Sequence, residues 1–190
     1  FGQKINIKVL STTSSCFGWP DFKRTKRDAR NNSKKRLRLF YPSAFYPHKN
    51  HHLLSLISFP KATDVLVTIP EGGLSKHNNS IKYLGKITRD EVFDLYREVD
   101  ALLFLSSDES LGLPLLEAVK CNLPIVCPHA EYSKHLSSKN CFHFDLSDST
   151  SLISAINLLQ GKLNEGWWPE WDFCSEFKQS NAIDIKKIIL

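Results

Sequence analysis

The chain has 190 residues and a mass of 21.7 kDa, with 42% hydrophobic and 24% charged positions and a net charge of +5. This is enough apolar material for a sizeable core, and nine Pro, eight Gly and four Trp exclude a collagenous or wholly disordered polymer. No uninterrupted apolar run approaches the ~20 residues that cross a bilayer, so no membrane-spanning helix is expected. The chain opens at Phe1 and holds no methionine, from which we expect a piece of a longer protein.

In chain order, the branched apolar run from Ile5 to Leu10 reads as a strand. The segment from Lys23 to Arg38 follows, with nine basic residues against the single acid Asp28, which leaves −3 for the rest of the chain. It has no aromatic side chain for base stacking, so its composition reads as a solvated linker or loop, with an anionic surface as the alternative. Further strand-like runs are Leu37 to Tyr41, Asp64 to Thr68, Ile81 to Leu84, Ala101 to Leu105, Pro124 to Cys127 and Cys141 to Phe144. Helical spacing fits Lys49 to Ser58, Arg89 to Val99, Leu113 to Lys120 and Asp148 to Leu159. Alternation of this kind predicts an α/β fold, a parallel sheet flanked by helices, with ligands bound beyond the carboxyl ends of the strands. After Leu159 the pattern changes to Gln160-Gly161-Lys162, a segment with Trp167, Trp168 and Trp171, and a helical stretch from Asp172 towards Ile189. We therefore divide the chain into a domain over 1–162, with a basic loop at 23–36 inside it, and a terminal segment over 163–190.

Cysteines 16, 121, 127, 141 and 174 are odd in number and form no C-x-x-C pair, so neither a zinc site nor a disulfide framework is expected. Cys121 and Cys127 flank an apolar segment and read as small core side chains in a reducing compartment. His48, His51 and His52 cluster, but adjacent helical positions point in different directions. His129, His135 and His143 read as surface or locally hydrogen-bonded residues, and no metal is expected.

The run that carries chemistry is Ser106-Ser107-Asp108-Glu109-Ser110-Leu111-Gly112-Leu113-Pro114-Leu115-Leu116-Glu117-Ala118, after the strand from Ala101. Proline in the first helical turn loses no needed hydrogen bond, and Gly112 allows close approach to the backbone. The amides of Leu111, Gly112 and Leu113 at this helix start favour an anion. Glu109 and Glu117 frame them, as acceptors for a polyol's hydroxyls or, in the plainer reading of Glu117, as a cap or surface carboxylate.

The stretch from Leu37 to Leu159, about two thirds of the chain, resembles the donor-binding C-terminal domain of a retaining family 4 glycosyltransferase of GT-B architecture. The resemblance rests on the E-x(7)-E pair Glu109 and Glu117, the intervening SLGLPLL, and the following Ala118-Val119-Lys120-Cys121-Asn122-Leu123-Pro124. Upstream, Ile81-Lys82-Tyr83-Leu84-Gly85-Lys86-Ile87 with Asp90-Glu91-Val92 is similar to the segment before the family's donor pocket. The resemblance implies a Rossmann-like C-terminal half of a GT-B fold. Glu109 would contact the transferred sugar, Glu117 the ribose, and the amides from Ser110 to Leu113 the sugar or diphosphate. Main-chain groups near Lys86 and Ile87 would hold the base, and Lys49 the diphosphate. The family often has Gly-Arg where Ser43-Ala44 stands here, so the arginine that assists the lysine is absent. At Asn122, asparagine replaces a glycine and tolerates the left-handed conformation required there.

By this resemblance the intact protein is a hexosyltransferase that takes its sugar from a nucleoside-diphosphate donor, with no obligatory cofactor or metal. An acceptor domain would precede Phe1, and the fragment alone would transfer little or nothing. A cytoplasmic location is implied, with peripheral contact to the inner membrane as an option; the tryptophans read first as packing residues. Two other readings remain: a catalytically silent or epimerase-like nucleotide-binding domain, and a polyanion-binding module using 23–38, although nucleic acid is not the expected partner.

Overall fold

A computed structural model describes residues 36–74, 78–109, 112–134, 136 and 138–171. The expected first strand, positions 23–35 of the basic segment and the closing helix from Asp172 lie outside the described residues. Six parallel strands, β1 (Leu37–Tyr41), β2 (Thr63–Val67), β3 (Ile81–Tyr83), β4 (Ala101–Leu103), β5 (Ile125–Pro128) and β6 (Cys141–Phe144), form one sheet in the order β3-β2-β1-β4-β5-β6. Its helices are α1 (Leu53–Leu56), α2 (Arg89–Glu98), α3 (Leu113–Lys120) and α4 (Ser149–Asn164).

The strands are mainly apolar, and β4 is so throughout, because helices and loops cover both faces of the sheet. Leu39, Phe40 and Tyr41 of β1 and the whole of Ala101 to Leu105 are fully buried. Two helix ends are fixed by local bonds. Thr88 and Glu91 form a reciprocal capping box at the start of α2, with the Thr88 amide donating to Glu91 Oε2 at 2.7 Å. At the end of α3 the Leu123 amide donates to Ala118 O and the Asn122 amide to Val119 O, with Asn122 at φ 61°. That Schellman arrangement needs a left-handed residue, and asparagine supplies it as expected.

The start of β4 is fixed to β1 by a pair of bonds. Buried Asp100 accepts the Arg38 amide on Oδ2 at 2.9 Å, and its own amide donates to Arg38 O at 2.8 Å. The register Leu39↔Ala101 follows directly.

Two element boundaries differ from expectation. The helix expected over Lys49 to Ser58 is broken into a 3-10 turn at Pro47–Lys49 and the single turn α1. Between them Asn50 takes φ 51°, and its side-chain amide donates to Leu105 O at 2.8 Å. A bond to the end of β4 thus overrides local helical spacing. Conversely, α4 continues past Leu159 through Gly161 to Asn164. Leu163 extends the buried stripe of Leu152, Ala155, Ile156 and Leu159, and this outweighs the ~1 kcal/mol that an exposed helical glycine costs relative to alanine.

Beyond α4 the chain folds back onto its own domain. Trp171 is 7% exposed, and its indole N–H donates to Leu123 O at 2.6 Å. The Asn140 side chain donates to Glu170 O at 2.8 Å, and Trp167 packs edge-on against Phe142. Among the described residues no helix is long and apolar enough to cross a membrane. Trp171→Ala is expected to cost about 3–5 kcal/mol of stability, as for other buried aromatic truncations, measured by urea denaturation; a change near zero would show that the segment is not docked.

Candidate functional site

The strand order reverses between β1 and β4, because the chain steps outward through β2 and β3 on one side and through β5 and β6 on the other. The loops leaving these two strands therefore meet at the crevice where open parallel sheets bind ligands. They are joined where the Ser107 amide donates to His48 O at 2.9 Å and where Asn50 reaches Leu105 O, while within the first loop the Tyr41 hydroxyl donates to Lys49 O. Ser106 O accepts from the Tyr132 hydroxyl.

This frame brings Lys49 and Glu109 into contact across 60 positions of chain, Nζ to Oε1. Their side chains are 16% and 12% exposed, so the pair is largely shielded from screening by water and salt. The ammonium also stands 5.7 Å from the centre of the Phe104 ring, which favours a cation. Ser43 is tied to the end of β2: its amide donates to Thr68 Oγ1 at 2.8 Å, and that hydroxyl donates back to Ser43 O. Ala44 beside it is exposed and carries no charge to add.

Glu117 lies inside α3 and is buried, so the cap or surface alternative does not hold. Its Oε2 accepts the Tyr96 hydroxyl at 3.0 Å, and its Oε1 faces the Arg89 guanidinium at 3.7 Å. Burial pushes its carboxyl pKa up, against opposing pulls from Tyr96 and Arg89. Lys86 is exposed and Ile87 half-buried, just ahead of the cap of α2 that carries Arg89. Ser110 and Leu111 lie outside the described residues. Gly112 takes φ 62° at the start of α3, Leu113 is 39% exposed, and Pro114 follows in the first turn. A β-carbon on Gly112 would stand 2.9 Å from Leu115 Cδ1, so both backbone and space demand glycine. A cavity of about 350 Å³ lined by Glu71, Leu74, Asn78 and Tyr83 shares no residue with this cluster.

Several contributors were not legible in the sequence. Tyr96 and Arg89 reach Glu117 from another helix, and no local motif announces them. His51, passed over as one of three clustered histidines, is 2% exposed, with its ring 4.9 Å from that of Tyr41 and 5.3 Å from that of Phe45. Burial first, then the charge on Lys49, lowers its pKa to about 4. Likewise His143, expected at the surface or in local hydrogen bonds, lies half-buried within hydrogen-bonding reach of Cys127 and Cys141.

Two expectations follow from this geometry. Gly112→Ala should lower stability by about 1–2 kcal/mol from the left-handed backbone alone, measured by thermal denaturation; an unchanged melting temperature would contradict that backbone. For His51 the folded pKa lies below the unfolded one, so between pH 6.5 and about 4 the unfolded chain takes up a proton that the fold refuses. Stability should therefore fall as pH drops through that window, and His51→Phe should flatten the fall; identical pH profiles for the two proteins would refute the assignment.

Comparison with known proteins agrees with the fold. The family described as Glycosyl transferases group 1 matches residues 74–160. The chain is 30% identical over 104 residues to the O-antigen chain mannosyltransferase B of Escherichia coli, covering 55% of this chain and 26% of that protein. It is 27% identical over 79 residues to the Escherichia coli serotype-specific mannosyltransferase WbdA, covering 42% of this chain and 10% of that protein. The chain thus aligns with about a quarter or less of these relatives. Among solved structures, the C-terminal domain of a group 1 glycosyl transferase from Francisella tularensis superposes with a TM-score of 0.56 at 16% identity, covering 86% of this chain and 97% of that one. Anabaena HepE in complex with UDP-glucose gives 0.56 at 19% identity, covering 81% of this chain and 46% of that one. Residues 74–160, the stretch bearing Glu109 and Glu117, thus match the Glycosyl transferases group 1 family, and the parallel sheet in its β3-β2-β1-β4-β5-β6 order has the fold of the C-terminal domain of GT-B proteins.

Proposed function

We propose that this domain binds a nucleoside-diphosphate sugar between the β1 and β4 loops and, together with an acceptor-binding domain, transfers the sugar with its anomeric configuration retained. The observation that carries the reading is the shielded Lys49–Glu109 pair, held by bonded loops at the topological switch point. The mannosyltransferase relatives and the UDP-glucose complex of Anabaena HepE support the substrate class.

Before the donor arrives, Lys49 and Glu109 neutralise one another. A diphosphate offers the ammonium two negative groups in place of one, so Lys49 turns to the phosphates and stabilises the charge that grows on the leaving oxygen. Glu109 is then released to accept hydrogen bonds from the sugar hydroxyls. The amides at the start of α3, at Gly112 and Leu113, favour the same negative charge, as the resemblance implies for those of Ser110 and Leu111. Glu117, oriented by Tyr96 and Arg89, takes the ribose hydroxyls, and main-chain groups at Lys86 and Ile87 take the base. No cofactor or metal is needed, because lysine and helix terminus together supply the positive field.

The chain should be stabilised against heat by one class among UDP-, GDP- and ADP-sugars, with weak affinity and little or no transfer by itself. In the intact enzyme Glu109→Gln should lower turnover by about 100-fold or more while leaving nucleotide affinity nearly unchanged. Lys49→Met should weaken diphosphate binding by roughly 10–100-fold, the value of a charge-assisted hydrogen bond. Stabilisation by none of the three donors, or full turnover in Glu109→Gln, would overturn the assignment. A second reading, nucleotide binding without transfer, is favoured by the uncharged Ala44; binding with no turnover by the intact protein would select it.

A further inference from the structure

A second convergence of reactive side chains lies away from the strand switch, at the opposite edge of the sheet. Cys127 on β5 is the register partner of His143 on β6, and Cys141 stands two positions before His143 on the same strand. Side chains alternate across a sheet, so all three project from one face. Cys127 and Cys141 are buried, and the imidazole is half-buried. The two Sγ atoms are 3.2 Å apart, and His143 Nδ1 is 3.7 Å from Cys127 Sγ and 3.9 Å from Cys141 Sγ. Two cysteines acting merely as small core side chains would not require an imidazole nitrogen directed at both sulfurs.

We propose that Cys127, Cys141 and His143 bind a thiophilic divalent cation, Zn²⁺ in the first instance, with water completing a tetrahedron on the open side. With Zn–S near 2.3 Å and Zn–N near 2.0–2.1 Å, tetrahedral ligand atoms lie about 3.5–3.8 Å apart. The sulfur–nitrogen separations already match this within a few tenths of an ångström, and the sulfurs need only open by about 0.5 Å. Binding releases the two thiol protons to solvent. Two thiolates then balance the dication, the imidazole stays neutral, and no net charge enters the core. The set carries no C-x-x-C signature because its members converge across neighbouring strands and not along one loop.

The test uses the full chain without a histidine tag, reduced, stripped of metal by a chelator and titrated with Co²⁺. One equivalent should produce thiolate-to-cobalt charge-transfer absorption and the visible bands of tetrahedral Co²⁺, and Zn²⁺ should displace it and raise the melting temperature. Cys141→Ser and the gentler, half-exposed His143→Gln should each weaken Co²⁺ binding at least about tenfold, whereas Cys121→Ser, at a buried cysteine outside the cluster, should bind like wild type. Absence of the bands in a wild-type chain whose thiols titrate as free would overturn the site. So would bands that persist unchanged in His143→Gln, or a Cys127–Cys141 disulfide that withstands reduction of the folded protein.

Discussion

The pairing of β1 with β4 is the constraint on which the remainder of the molecule depends. These are the two central strands, and they are the point at which the chain changes direction across the sheet. Their carboxyl ends project two loops into the same space; the bonds from Asn50 and Ser107 prevent those loops from relaxing apart, and the Tyr41 hydroxyl braces the first of them at Lys49 O. Without that junction Lys49 and Glu109 would be remote charges on separate loops. With it, they form a shielded pair whose geometry is set by the fold itself, so the proposed donor would find little left to order.

The two glutamates of the site have different electrostatic surroundings although they are only eight positions apart. Glu109 answers to a lysine that a stronger anion can draw away. Glu117 is anchored among Tyr96, Arg89 and the body of α3, where desolvation opposes its charge. In the proposed reaction one carboxylate is therefore suited to exchange partners, the other to keep a fixed direction. The division arises from placement: Glu109 stands in the loop before the helix, Glu117 within it.

Much of this was legible in the sequence. Strands showed clearly because a parallel sheet buried on both faces requires unbroken apolar runs, and Leu37–Tyr41 and Cys141–Phe144 were bounded correctly. The start of α3 could be read because glycine, proline and glutamate each have a local physical reason to be there. Long-range bonds were invisible. Asn50 breaks a helix for the sake of a carbonyl 55 positions away, and Arg89 and Tyr96 reach Glu117 across a helix interface. The grouping of Cys127, Cys141 and His143 depends on strand register, which no spacing rule along the chain encodes. Trp171 was recognisable as a packing residue, but its acceptor, Leu123 O, was not.

Asp100 illustrates how far the influence of one buried carboxylate extends. It sits at the amino end of β4, the opposite end from Glu109, and indexes that strand against β1 through Arg38. A strand advances about 3.3 Å per residue, and a slip must span two residues to keep the same side chains inward, a travel of roughly 6–7 Å. Such a shift would carry the acid well out of reach of its lysine. Asp100 thus works as a distant alignment pin, and a change at one end of the sheet would be felt by the Lys49–Glu109 pair at the other.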